Sequence, residues 1–282
     1  MRYPDIPLDH LIKFVEEDAP FGDITSEYVL EKHTCNAEII AKEDLILAGI
    51  SDISRLFEHY GVRTSSQKKD GDRIKAGTSI LFLHGDAHAI LLVERTALNL
   101  IGRMSGIATQ TRRIQERVSV INPDCRITAT RKTAPGLRLP DKKAAMIGGA
   151  DPHRFSLSDA VLIKDTHRML VPIGVAVRRA RSAGAYHLIE AEAESVDEAM
   201  EAARAGADII MLDNMTPGQI AVVLDNLKTN GLRETVLIEL SGGINPDTID
   251  EYAAVGADRI SLGMLTHTVR NADFSLEIQN KQ

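Results

Sequence analysis

The sequence has no tryptophan, two cysteines and only 4% aromatic residues. Cys35 and Cys125 lie far apart and show no metal-ligand spacing, so buried reduced thiols are expected rather than a disulfide or a zinc site. Sparse aromatic rings leave no stacking platform for single-stranded nucleic acid. Positive charge is not in excess either: the formal net charge is −7, unlike the basic surface that a general nucleic-acid binder turns to phosphates. No uninterrupted apolar run reaches the roughly 20 residues that span a bilayer, and Met1 to Asp5 opens no signal pattern. A cytoplasmic protein without nucleic-acid or membrane partners is expected.

What is present is an ordinary globular composition. The 282 residues, 44% hydrophobic and 26% charged, can bury a sizeable core as one large or two modest domains. From residue 126 onward, short apolar runs alternate with helical patterns. Strands are expected over 126–130, 159–163, 187–192, 208–212, 235–239 and 258–262. Alanine-rich segments at Val171 to Ala183 and Ser195 to Ala205 carry apolar residues at three- and four-residue spacing between them. Two stretches, DEAMEAARAGADIIML (197–212) and DTIDEYAAVGADRISL (247–262), align without gaps as helix, Gly-Ala-Asp turn and strand. Alternating strands and helices imply a parallel sheet. No Gly-x-Gly-x-x-Gly follows the first strand, which favours a (β/α) barrel over a doubly wound dinucleotide fold.

Residues 1–108 have a different grammar. A helical stretch with a turn at Gly22 is followed by strand-like segments with glycine turns, then by a long helical pattern from about Asp86 to Arg117. The stretch DGDRIKAGTSIL resembles small lipoyl- or biotinyl-carrying modules, but its lysine lacks the flanking pattern, and a structural role is expected. An α/β domain over 1–108 and a barrel over 109–267 are expected, with the tail 268–282 packing back on the first.

Six expected barrel strands end in charged or glycine-rich residues. Aliphatic strand bodies are sealed in a parallel barrel, and their C-terminal ends open on the face where sites are built. The cations Arg131, Lys132, Arg154 and Lys164, with His153, suit anionic ligands: guanidinium forks match carboxylates, and ammonium groups serve as point charges. Glu190, Glu192 and Glu194 share a face if their strand persists, with one of the three expected to be simply solvated, and Asp213 ends the next strand. Such carboxylates suit ribose hydroxyls, Mg²⁺ or a cationic transition state. Ser241 to Ile244 and Leu262 to Leu265 supply glycines on consecutive strand ends, a pattern suited to phosphate.

These residues resemble the quinolinate phosphoribosyltransferase family, also called nicotinate-nucleotide pyrophosphorylase (carboxylating). The resemblance rests on EDAPFGDITS (17–26), ERTALNLIGRMSGIAT (94–109), TRKTAPGLR (130–138), GGADPHR (148–154), DAVLIKDTH (159–167), IEAEAES (189–195), GADIIMLDN (206–214), ELSGGI (239–244) and ISLGMLTH (260–267), in family order over nearly the whole chain. It implies an N-terminal open sandwich, an incomplete (β/α) barrel and a head-to-tail homodimer with shared sites. It implies a pentosyltransferase of NAD biosynthesis that turns quinolinate and phosphoribosyl pyrophosphate into nicotinate mononucleotide, pyrophosphate and CO₂ with Mg²⁺ and no organic cofactor. Carried over by motif, Arg131, Arg154 and Lys164, with Thr130 and His153 beside them, hold quinolinate. Arg95 reaches in from the neighbouring subunit. Lys132, Glu192 and Asp213 serve the pyrophosphate, ribose and metal. Ser241, Gly242, Gly243, Gly263 and His267 take the 5′-phosphate.

The sequence departs from the family pattern at Thr166, where asparagine is usual, at Arg168, where an apolar residue is usual, and at the alanines of EAEAES. The ModD-like proteins associated with molybdenum transport share TRK, PG, HR and a following HR, but lack ERTALN, IKD and the MLDN context. A non-catalytic nucleotide-binding barrel is a third reading; it predicts missing charged strand ends, and none is missing.

Overall fold

The computed structural model describes residues 3–279, and the chain passes back and forth between two units. The first holds residues up to Arg112, Thr133–Gly149 and the chain from Leu265 onward; the second holds Arg113–Lys132 and Ala150–Met264.

In the first unit, α1 (Leu8–Asp18) buries Leu11 and Val15, four residues apart on one face. The next helix, α2 (Ile24–Val29), starts where the Asp23 carboxylate accepts hydrogen bonds from the Thr25 and Ser26 amides at 3.0 and 3.3 Å. β1 (Thr34–Ala41) turns Cys35, Ala37, Ile39 and Ala41 inward in strict alternation. Burial pushes the Cys35 thiol up, and the Cys125 thiol of the second unit up to about 12; both are free and buried. β2 (Leu45–Ile46) comes before α3 (Ile50–His59), and β3 (Arg63–Ser65), β4 (Arg73–Ile74) and β5 (Ser79–Asp86) follow it. β5 lies antiparallel between β1 and β3, while β2 and β4 form a separate pair.

The long helix α4 (Ala87–Ile121) spans 35 residues. α5 (Arg138–Gly148), which contains PDKKAA, escapes a reading based on apolar spacing because its buried residues include Asp141, Lys142 and Lys143. Partners make this tolerable: Arg103 grips Asp141 through two hydrogen bonds of 2.7 and 2.9 Å, and Lys143 Nζ lies 2.7 Å from Asp52 Oδ2. Burial still raises Asp52 and Asp141 above the usual carboxylate range, against the pull of Lys143 and Arg103 respectively.

The second unit contains six parallel strands: β6 (Arg126–Ala129), β7 (Val161–Ile163), β8 (Ile189–Ala193), β9 (Ile209–Asp213), β10 (Leu237–Ser241) and β11 (Arg259–Leu262). Their order is β6-β11-β10-β9-β8-β7. Among the described residues no ladder joins β6 to β7, so the barrel is incomplete. β10 runs through Ser241, two residues beyond the expected end, because it keeps register with β9 up to Asp213. Between strands lie α6 (Asp165–Arg168), α7 (Ile173–Ala180), α8 (Val196–Ala205), α9 (Pro217–Thr229) and α10 (Ile249–Ala253); α11 (Met264–His267) follows β11. Ser195 caps α8 through the Glu198 amide at 3.3 Å.

The internal repeat has a structural cause. Asp208 and Asp258, from the two Gly-Ala-Asp turns, each accept the amide hydrogen of the first or second residue of the neighbouring strand, Ile189 and Ile238, at 2.7 Å. Each also pairs with an arginine, Arg181 at 2.8 Å and Arg233 at 3.0 Å. The repeated aspartate therefore ties the start of one strand to its neighbour.

The last strand, β12 (Phe274–Gln279), belongs to the first unit and lies antiparallel to β1. Just before it the tail crosses α4, where the Ala272 amide bonds Gly102 O at 2.9 Å. A Cβ on Gly106 would collide with the Arg270 carbonyl, so glycine is required for that close approach.

Candidate active site

In the second unit, register aligns the strand ends into a layer. Ser241 stands beside Asp213, and two residues earlier Glu239 and Glu192 both flank Met211. Lys164 follows β7 directly, and its Nζ lies 3.0 Å from Glu192 Oε1. The other oxygen of Glu192 accepts the Asp165 amide at 3.2 Å. Glu192 is buried, whereas the Lys164 side chain is 46% exposed. A buried acid thus holds an accessible cation at a strand end.

Arg131 and Arg154 are both half-buried in this unit. Burial first, then the Arg131 guanidinium, draw Arg154 below the usual arginine value, opposed by Glu190, Glu192 and Asp159. Arg131 Nε is buried without a hydrogen-bond partner, an orphan donor suited to an incoming acceptor. Lys132 is exposed, and its amide bonds the Thr130 hydroxyl at 3.2 Å. Of the three glutamates of IEAEAE, Glu194 is the exposed one, 3.5 Å from Arg168. Arg168 also pairs with Glu198, which explains how a cation replaces an apolar residue there.

Among the described residues, two other than glycine adopt left-handed backbones, His153 at φ +50° and Asn214 at φ +55°. Asn214 donates to Asp213 Oδ2 at 2.8 Å, and its own amide bonds Ser241 O at 2.9 Å. Gly242, at φ +96°, faces Asn214 so closely that a Cβ would collide with it. Gly243 follows at φ +63° with open space beside it. The side of Gly243 that a Cβ would fill is therefore open, as an anion cradle requires.

Arg95 and His267 are exposed residues of the first unit, on α4 and α11. Thr130, Arg131, Lys132, His153, Arg154, Lys164, Glu192, Asp213, Ser241, Gly242, Gly243 and Gly263 all belong to the second unit.

The sequence points only in part to a layer below the strand ends. His153 Nε2 lies 2.9 Å from Glu190 Oε2 and 3.6 Å from Glu239 Oε1. Ser261 also reaches Glu239, and Thr128 bonds Ser261 at 2.7 Å. Both glutamates are about as buried as the aliphatic core, at 3% and 2% exposed. A signal for Glu239 does exist: it precedes Ser241 by two, the period of one strand face. On the strand-start side a cleft of about 360 Å³ is lined by His153, Arg154, Glu190, Glu239 and Arg259.

Comparisons with known proteins agree with one another. The quinolinate phosphoribosyl transferase family matches in both of its parts, the N-terminal domain over residues 23–105 and the C-terminal domain over 107–277. The chain is 43% identical to a probable nicotinate-nucleotide pyrophosphorylase (carboxylating) of Methanothermobacter thermautotrophicus, covering 96% of this chain and 99% of that protein. It is 34% identical to the human nicotinate-nucleotide pyrophosphorylase (carboxylating), covering 99% and 94%. The structure of the Francisella tularensis nicotinate-nucleotide pyrophosphorylase superposes with a TM-score of 0.89 at 33% identity over 98% of each chain. With both halves matched over nearly their full lengths, the chain belongs to the quinolinate phosphoribosyltransferase family.

Proposed function

We propose that this chain transfers the phosphoribosyl group of phosphoribosyl pyrophosphate to quinolinate and releases pyrophosphate and CO₂, leaving nicotinate mononucleotide for NAD biosynthesis. The observation that carries this reading is family membership across both halves, joined to an accessible cation, Lys164, held by the buried Glu192 at a strand end. A dianionic pyridine and a polyanionic sugar donor need such a local cationic site inside an acidic protein.

In this reading Arg131, Arg154 and Lys164 bind the two carboxylates, with Thr130 and His153 beside them. Lys132 holds the pyrophosphate. Displacement at the anomeric carbon develops oxocarbenium character, which Glu192 and Asp213 stabilise. Ser241, Gly242, Gly243, Gly263 and His267 receive the 5′-phosphate. The ring nitrogen, made cationic by the transfer, is the electron sink for decarboxylation, so no organic cofactor enters.

Mg²⁺ keeps much of its water and accepts one or two carboxylates together with substrate phosphates. Asp213 fits that demand with an oxygen not bonded to Asn214, whereas Glu192 is occupied by Lys164 and the Asp165 amide. Mg²⁺ would neutralise charge on the departing pyrophosphate. Phe21, Ile24, Tyr28 and Val29 are 97%, 72%, 84% and 73% exposed, apolar surface that supports a homodimer; in this reading the protein is cytoplasmic and Arg95 is given to the partner's site.

The test is product analysis of the purified protein with phosphoribosyl pyrophosphate, Mg²⁺ and quinolinate, nicotinate or nicotinamide. Nicotinate mononucleotide with matching CO₂ release from quinolinate is expected. Turnover of nicotinate in its place would refute the reading.

A further inference from the structure

α6 lies between β7 and α7, yet none of its four residues is buried. Met169 and Leu170, which follow it, are both 85% exposed. A single turn does not hold its own shape, because the first turn of a helix costs more order than its few hydrogen bonds return. Polar ties have to fix it, and they bear directly on Lys164, whose backbone is built into the turn. The Lys164 amide donates to His167 Nδ1 at 3.0 Å, and its carbonyl accepts the amides of His167 and Arg168 at 2.9 and 3.1 Å. The position of α6 is therefore the position of Lys164.

Two ties run from α6 to the end of β8 and the start of α8. The inner one is the Lys164–Glu192 pair, with the Asp165 amide on the second Glu192 oxygen. The outer one is Arg168. Its side chain is only 10% exposed, unlike a solvated surface charge, and its two terminal nitrogens reach different acids: Nη1 pairs with Glu198 Oε1, and Nη2 lies 3.5 Å from Glu194 Oε1. Glu198 is itself held in place. Its other oxygen accepts the Glu194 amide at 2.8 Å, and its own amide is capped by Ser195 at 3.3 Å. The planar guanidinium thus spans two acids anchored where β8 passes into α8.

The ties differ in what a substrate does to them. In the reading given above, Lys164 turns from Glu192 to a carboxylate of quinolinate, so the inner tie is reduced to the Asp165 amide when the site fills. The outer tie is made by residues with no assigned contact to substrate, and it stays closed. We propose that Arg168 is a positioning residue: its clamp on Glu194 and Glu198 holds α6 against the end of β8, so that Lys164 meets the substrate from a fixed place after releasing Glu192. The proposal rests on the reading of Lys164 as a quinolinate contact. Without the clamp, α6 has to be ordered each time substrate binds, and affinity falls accordingly.

Two other roles for Arg168 give different results. If it served only the fold, its loss would lower Tm without acting through Lys164. If it served only as a positive charge near an anionic substrate, removing Glu198 would strengthen binding, since a negative charge is lost.

The experiment is isothermal titration of quinolinate into the full-length protein, with a thermal scan of each variant to confirm folding. Arg168→Ala should raise Kd about fivefold to tenfold in the wild-type background and less than about twofold in Lys164→Ala, the coupling expected of residues that act as one network. Glu198→Ala should also raise Kd, about threefold or more, and it decides the matter if Arg168→Ala does not fold. Equal factors in the two backgrounds, or a Glu198→Ala variant that binds as tightly as wild type or more tightly, overturn the proposal. Lys164→Ala separates the two readings: if it binds quinolinate like wild type, the assignment of Lys164 fails and the clamp's role with it, whereas an impaired Lys164→Ala alongside an unimpaired Arg168→Ala removes only the role of Arg168.

Discussion

Each unit contains a lysine paired with a carboxylate, and the two pairs differ in access rather than in chemistry. Lys143 and Asp52 meet at 2.7 Å with side chains 2% and 0% exposed; Lys164 and Glu192 meet at 3.0 Å with 46% and 9%. A sealed cation cannot exchange its partner for a substrate, and serves only the fold. A cation open on one side, anchored by a buried acid, can turn to an incoming anion at small cost. Charge near a core is therefore no sign of function until the exposure of each partner is known.

The largest expected effect comes from breaking the sealed pair. Lys143→Ala leaves Asp52 buried without its cation, a loss of about 3 to 5 kcal/mol, which should lower Tm by roughly 10 °C in a thermal scan. Quinolinate affinity of the protein that remains folded should not change. Replacing both partners, Lys143→Met with Asp52→Leu, should recover most of the stability, since apolar substitutes for a buried pair are often neutral.

The open pair should behave in the opposite way. Lys164→Ala removes a charge-assisted contact to substrate of about 1.5 to 3 kcal/mol, lowering kcat/KM roughly tenfold to a hundredfold. Tm should move by only a degree or two, because a half-exposed pair contributes at most about 1 kcal/mol. Steady-state kinetics beside a thermal scan would show the split.

Smaller effects sharpen the division of roles. Arg154→Lys keeps the charge and loses the planar fork, so quinolinate affinity should fall about tenfold. Lys132→Ala should weaken phosphoribosyl pyrophosphate while leaving quinolinate nearly untouched, as titration of each ligand separately would show. At the bottom of the scale stands the surface pair of Lys75 with Asp44, 84% and 57% exposed; Lys75→Ala should leave both Tm and activity unchanged.

The sequence made the barrel legible because its strands obey one repeated unit, and the Asp208 and Asp258 turns show why the repeat persists. It made the strand ends legible because a charge directly after a run of aliphatics marks where the chain leaves the sealed core for the open face. α5 was not legible, since Asp141, Lys142 and Lys143 read as solvated until Arg103 and Asp52 are seen across from the acid and the last lysine. The Glu239 layer was hidden for a related reason: a buried carboxyl depends on partners from other strands, Ser261 and Thr128 among them. His153 and Asn214 gave no local sign of their left-handed backbones, which tertiary contacts impose.

The most direct test of the account is titration of quinolinate, nicotinate and nicotinamide into the wild type and Lys164→Ala. Quinolinate should bind the wild type at least about tenfold more tightly than either monofunctional pyridine, as one extra charge-assisted contact requires, and Lys164→Ala should lose that preference. Equal affinity for nicotinate, or a Lys164→Ala variant that still prefers quinolinate, would contradict it.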